Sequence, residues 1–130
     1  MNIPVLIVAC IMAITVVAHV FGGTRETARI APDPSARNLT RHWVQAMGAF
    51  QMLSVDLLAI ALLLFGVALW DLGPAEDLIL KSLIALFCSW GIVWFVQVQW
   101  LKRKGAGILQ LPHWVIWFIC AGLLFFGLRL

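Results

Sequence analysis

Asp56 lies in the middle of an apolar segment, QMLSVDLLAIALLLF at residues 51–65, where a carboxylate needs a specific reason to be present. A charged carboxylate facing lipid at the centre of a membrane helix costs about 3 kcal/mol. Steps of three and four residues keep side chains on one helix face. Counting back in this way from the carboxylate gives one face, formed by His42, Gln45, Ala49, Met52 and Asp56.

Two roles for Asp56 follow from this position. We expect its side chain to face the interior of a helical bundle, to be protonated, or both, with Ser89 or Trp90 as the neutralising contact. Ionisable groups inside membranes often mark a path for protons, ions or substrates. A protonated aspartate can equally join two helices through a hydrogen bond. The sequence leaves both roles open.

The three histidines, His19, His42 and His113, each lie at the end of an apolar segment. In an up-down bundle these three ends fall on the same side of the membrane. The imidazoles can then surround the mouth of a cavity that leads to Asp56, or coordinate a metal or a haem. Histidines at a membrane boundary can also be purely interfacial, and this alternative stays open.

Four apolar segments must position these residues. The chain has 130 residues, of which 63% are hydrophobic and 12% charged, and its mean hydropathy is +1.00. A membrane-spanning helix needs about 20 apolar residues. We predict one transmembrane domain over residues 1–130, an all-α, up-down four-helix bundle. Its predicted helices cover residues 3–20, 43–70, 78–101 and 114–128, and the first is expected to be retained and to end at Gly22 and Gly23.

Basic residues set the predicted orientation. Seven of the nine lysines and arginines fall in two connections on one side of the membrane. The positive-inside rule makes this side cytoplasmic, which places loop 21–42 inside and both termini in the periplasm of a bacterial inner membrane. We expect these seven residues to contact lipid headgroups: Arg25, Arg29, Arg37, Arg41, Lys102, Arg103 and Lys104. Topology thus explains the pI near 9.1 without nucleic-acid binding.

The remaining reactive residues do not form a recognisable catalytic motif. Cys10, Cys88 and Cys120 fall inside three different apolar segments, without the close spacing of a metal site, and are expected to pack as small apolar side chains. The sequence contains no nucleophile elbow, phosphate-binding glycine loop or HExxH motif. An enzymatic role is therefore not indicated, and any cofactor would be a metal or haem at the histidines.

Short motifs at the helix ends give the chain a resemblance. HVFGG closes the first predicted helix, RHW opens the second and LPHW opens the fourth. With these motifs the chain resembles a class of small, uncharacterised bacterial inner-membrane proteins with four spans. It departs from that class in having His42 before Trp43 instead of the reverse order. The resemblance carries no activity, but it implies a set of positions of interest: His19, Gly22, Gly23, Trp43, Pro112 and Trp114.

Three functions are compatible with these features. The first is a small accessory or assembly subunit that docks through its helices onto a larger membrane complex, because the chain is short and has no soluble domain. The second is a proton-coupled transporter or ligand-binding protein, which would use Asp56 and the histidines and would require a homo-oligomer. The third is a redox protein that binds a metal or haem. The expected partners are the lipid bilayer and a membrane protein or a second copy.

Overall fold

The computed structural model describes residues 1–102 and 112–129, and these residues are almost entirely helical. No strand occurs among them, so the all-α prediction is confirmed for this part of the chain. The helix bounds are α1 Ile3–Val17, α2 Thr24–Arg29, α3 Arg37–Leu69, α4 Pro74–Lys102 and α5 His113–Gly127. A helix satisfies its own backbone polar groups, which is what an apolar segment needs in lipid.

Three helical segments are long and apolar enough to cross a membrane. They are Ile3–Arg29, Arg37–Leu69 and Pro74–Leu101, of 27, 33 and 28 residues. These lengths agree with the prediction of a multi-pass membrane protein. The apolar helix α5 has 15 residues, fewer than the about 20 that a perpendicular span requires. A fourth span and the up-down topology therefore stay predictions.

The first helix does not end at the two glycines, and that prediction is wrong. A π-helical turn, Ala18–Gly23, connects α1 directly to α2. Neither glycine has the left-handed backbone that would end a helix, and Gly23 has a φ of −62°. The backbone N–H of Thr24 donates to the carbonyl of His19, which continues the hydrogen-bond ladder. Only residues 30–36 of the predicted loop separate this helix from α3.

Asp33 organises that connection. Its Oδ1 accepts hydrogen bonds from the backbone N–H of Ser35 at 2.8 Å and from the Ser35 hydroxyl at 2.6 Å. Both bonds favour the ionised carboxylate, and together they lower the pKa of Asp33 from its ordinary value, the hydroxyl contributing most. This turn lies next to the beginning of α3.

We expect Ser35→Ala to raise the pKa of Asp33 back toward the ordinary aspartate range, because the stronger of the two bonds is lost. The folded-state pKa in the natural protein is below the unfolded value. Its stabilising contribution is therefore present above the unfolded pKa and disappears as the pH falls through the folded pKa. An NMR titration of the Asp33 carboxyl in micelles measures this shift. Ser82→Ala is the control, since Ser82 donates to Leu78 of its own helix; an equal shift in both variants would contradict the assignment.

The chain divides into two compact units, which are described separately. The first contains Met1–Val8 and the described part of Val67–Leu130. In it α4 and α5 pack through aromatic rings, with Trp117 lying 5.8 Å from Phe87 and 5.1 Å from Trp90 between ring centroids. Asn2 Nδ2 donates to the carbonyl of Gly127 at 2.9 Å.

The second unit is Ala9–Gly66. It contains the rest of α1, the π-helical turn, α2 and most of α3. One face of α3 is buried through Ser54, Leu57, Ala61 and Leu64, which follow each other at intervals of three and four residues. This buried face positions the polar contacts of the unit.

Candidate functional site

His19 and Ser54 meet where the π-helical turn packs against α3. His19 Nδ1 lies 2.9 Å from Ser54 Oγ. Ser54 Oγ also lies within hydrogen-bond distance of the Phe50 carbonyl, at 3.3 Å. A hydroxyl has one proton to donate, so the tautomer of the imidazole decides whether Ser54 donates to Nδ1 or to this carbonyl. The imidazole is half-buried, whereas the serine is only 7% exposed.

Phe50 covers one face of the imidazole. Its ring is stacked on that of His19, with centroids 3.7 Å apart and planes inclined by 14°. The tip of the phenyl ring lies against Gly23, where an added Cβ would be 2.5 Å from Cζ. Phe50 can therefore stack on His19 only because residue 23 has no side chain.

The π-helical turn is also stabilised by hydrogen bonds within its own helical segment. The hydroxyl of Thr27 donates to the carbonyl of Gly23 at 2.8 Å, in addition to the bond between Thr24 and His19. Such wide turns are rare and are frequently found at functional sites. Here the turn places an imidazole and a glycine against the same aromatic ring.

Further polar contacts join α2 to α3. Gln51 Nε2 donates to Thr24 Oγ1 at 2.8 Å, and the indole N–H of Trp43 donates to the carbonyl of Thr27 at 3.2 Å. We refer to the side chains that connect the two helices in this way as the π-turn cluster: His19, Thr24, Trp43, Phe50, Gln51 and Ser54. The cluster joins the second half of the first helix to α3 through hydrogen bonds as well as packing.

The π-turn cluster contains no acidic side chain, lysine or arginine, and its only group that can titrate near neutral pH is the imidazole of His19. Ser54 is buried, with 7% of its surface exposed, so the pair is not arranged as an accessible nucleophile with its base. An imidazole bonded to a hydroxyl can hold or pass on a proton. The site therefore supports helix association and proton binding better than covalent catalysis.

The face predicted from Asp56 lies on the other side of α3. We call it the outer stripe: His42, Gln45, Ala49, Met52 and Asp56. All five are exposed, Met52 to 71%, and Asp56 forms no hydrogen bond or ion pair with a described side chain. Asp56 does not face the interior of this chain, because it follows the buried Ser54 by two residues and thus lies about 200° around the helix from it. That the carboxyl is protonated stays a prediction.

The other predicted contacts of Asp56 have their own partners. The Ser89 side chain is exposed, and its hydroxyl donates to the carbonyl of Ala85 in the same helix at 2.8 Å. Trp90 packs edge-on against Trp117. Ser89 is therefore hydrogen-bonded within α4, and Trp90 contributes to the packing of α4 on α5.

The three histidines have different surroundings. His19 belongs to the π-turn cluster, His42 is exposed on the outer stripe, and the ring of His113 lies 5.2 Å from that of Trp94. Among the residues that the structure describes, no group of three His, Cys, Asp or Glu side chains is positioned to hold a metal ion. Binding of a metal or haem by the histidines stays an untested prediction.

Most of the basic residues expected at lipid headgroups lie in the part of the chain that the structure describes. Arg25, Arg29, Arg37 and Arg41 are exposed. Lys102 ends α4, and Arg103 and Lys104 lie outside the described residues. Exposure is what a headgroup contact requires, and the contact itself stays a prediction.

Sequence reasoning missed three members of the π-turn cluster, Phe50, Ser54 and Thr24. The signal for two of them is present in the sequence. Phe50 and Ser54 begin the series of residues, continued by Leu57, Ala61 and Leu64, that forms the buried face of α3. A serine within such a series needs a hydrogen-bond partner across the helix contact.

No protein-family model, curated protein or solved structure significantly matches this chain. The class of the protein therefore rests on its own features, which are those of a helical membrane protein with several spans.

Proposed function

We propose that this chain is a small subunit that assembles with other helices inside a membrane, with α3 as the helix that makes the contact. The proposal includes the bacterial inner membrane as its location, with both termini in the periplasm. The exposed position of Asp56 carries the proposal, since an exposed carboxylate within a span has to be covered by another polar group.

The depth of Asp56 is the first step. α3 ends at Leu69, and at 1.5 Å per residue Asp56 lies about 20 Å from that end. The hydrocarbon layer is about 30 Å thick, so the carboxyl falls within it. Leaving it ionised against lipid costs about 3 kcal/mol, and a neighbouring helix that hydrogen-bonds the group removes much of this cost.

The composition of the outer stripe is the second step. Gln45 provides an amide that can hydrogen-bond across helices, Ala49 allows two backbones to approach closely, and Met52 adapts to an irregular surface. A face that only contacts lipid needs none of these properties. The stripe therefore has the residue types of a helix–helix interface in a membrane.

A second candidate is a proton-coupled transporter or ligand-binding protein formed by several copies. The hydrogen bond between His19 and Ser54 favours it, because it places a titratable ring inside the helical part of the chain. In this alternative Asp56 would face a path between copies instead of a helix contact. Proton flux in proteoliposomes that is lost in Asp56→Asn, with assembly intact, would select it.

The assembly role is tested with a bulky residue on the outer stripe. We expect Ala49→Trp to lower the fraction of chain in a complex at least tenfold in native mass spectrometry of gently extracted membranes, because the large ring separates the helices. Val44→Trp is the matched control, since Val44 is exposed to 55% on another face of α3, and it should leave the complex intact. A protein that is monomeric before substitution, or a complex that survives Ala49→Trp, would refute the proposal.

A further inference from the structure

We infer that the outer stripe of α3 packs against the same stripe of a second copy of this chain, related by a two-fold axis. This inference rests on the proposed assembly role and adds the identity of the partner. A two-fold axis along the membrane normal makes the two copies of α3 parallel and brings each residue of the contact near its own equivalent. The contact then requires a surface that is complementary to itself.

Two polar groups of the stripe, those of Gln45 and Asp56, meet this requirement. The Gln45 carboxamide has both donors and an acceptor, so two copies can bond to each other reciprocally. A protonated Asp56 donates through its hydroxyl and accepts through its carbonyl oxygen. Both residues can therefore find their partners in a second copy, without a donor from a different protein.

The charged residues of the outer stripe also favour a second copy as the partner. It contains an aspartate and no lysine or arginine, and Asp56 has no ion pair with a described residue. A different partner would have to supply a cation or a donor at the depth of Asp56 and a matching group at Gln45. The second copy supplies both at once, because the two groups are 11 positions apart in each chain.

The spacing and size of the residues allow the contact. Alternating steps of three and four residues, from His42 to Asp56, average the 3.5-residue repeat of helices that cross at about 20°. Ala49 is the central member of the five, so the two backbones can approach most closely there. A cysteine at this position should meet its equivalent within the Cα separation of about 4.4–6.8 Å that a disulfide needs.

Disulfide trapping tests the pairing. The natural cysteines Cys10, Cys88 and Cys120 are replaced by alanine, and two copies with different tags are expressed together. Under mild oxidation in the membrane, Ala49→Cys should give at least tenfold more disulfide-linked dimer carrying both tags than the control Val44→Cys. Equal yields in the two variants would overturn the inference.

Substitutions of Asp56 test its part in the contact, in the same background. Asp56→Asn keeps a donor and an acceptor and should retain the dimer, whereas Asp56→Leu should reduce it at least tenfold. Helical content by circular dichroism must be equal in both. Equal dimer yields would overturn the pairing of the carboxyl groups.

The failure of this inference is distinguishable from the failure of the proposed function. A link from Ala49→Cys to a different protein, with no dimer carrying both tags, would overturn the second copy as partner and leave the assembly role in place. A monomer that forms no link to any protein would overturn both.

Discussion

Gly23→Ala is expected to destabilise the protein by about 1–3 kcal/mol, because the new Cβ occupies space taken by a packed ring. An alanine Cβ at this position would lie 2.5 Å from Cζ of Phe50. The phenyl ring cannot remain stacked on His19 at 3.7 Å and accept this contact. It has to tilt, and the stacking that covers one face of the imidazole is lost.

Gly22→Ala provides the control at the preceding position. Nothing lies within 4 Å of a Cβ built there, and the residue is helical. Replacing a helical glycine by alanine normally stabilises by about 0.5–1 kcal/mol, so the two neighbouring substitutions should have opposite signs. The free energy of unfolding in detergent micelles measures both, and the NMR shifts of the His19 ring report its stacking. If Gly23→Ala is as stable as Gly22→Ala, Phe50 does not fill the position that the structure assigns to it.

Ser54→Ala is expected to cost about 1–3 kcal/mol, since it removes one partner of a buried hydrogen bond. The variant loses the hydrogen bond between Ser54 Oγ and His19 Nδ1 and leaves a gap at a position that is only 7% exposed. The change should therefore lower the unfolding free energy and shift the ¹⁵N resonances of the His19 ring.

Ser89→Ala is a closely matched control for this loss. Both serine hydroxyls lie within hydrogen-bond distance of a carbonyl four residues earlier in their own helix, Ser54 of Phe50 and Ser89 of Ala85. Only Ser54 also contacts a histidine, and Ser89 is exposed. Its replacement should change stability by no more than about 0.5 kcal/mol. Similar costs for the two variants, with unchanged His19 resonances, would show that the Ser54–His19 bond contributes little.

Hydropathy was enough to predict the helical, membrane-spanning character of the chain. Three of the four apolar segments correspond to helices long enough to cross a membrane, because lipid leaves the backbone few other ways to satisfy its polar groups. The ends were predicted less well. Gly22 and Gly23 resemble a helix end in sequence, yet the next residues, led by Thr24, continue the hydrogen-bond ladder through a wider turn.

The orientation of α3 could not be read from its pattern. In a soluble protein the polar face of a helix is the outer one, but in a membrane both the lipid and the helix contacts are apolar. Ser54 and Asp56 are both polar interruptions of an apolar segment, two residues apart, and the sequence does not state which of them is buried. Packing decides it: the buried series that contains Leu57 and Ala61 includes Ser54 and excludes Asp56.

The contact between His19 and Ser54 depends on a geometry that residue spacing does not contain. The two residues are 35 positions apart, and they meet only because the first helix continues past the glycines. If the first helix ended at Gly23, as its sequence suggested, the positions of Thr24 and Thr27 relative to α3 would be undetermined. Their hydrogen bonds with Gln51 and Trp43 could then not be predicted.

The π-helical turn also determines which face of the first helical segment points toward α3 after Gly23. A turn closed from residue i to residue i+5 holds one residue more than an α-helical turn. The surplus residue rotates everything beyond it by about 100° relative to an uninterrupted α-helix. Thr24 and Thr27 reach α3 because of that rotation. The length of the chain between Ala18 and Gly23 thus has a structural role of its own: a deletion of one residue there would restore regular pitch and turn both threonines away, even with every contacting side chain retained.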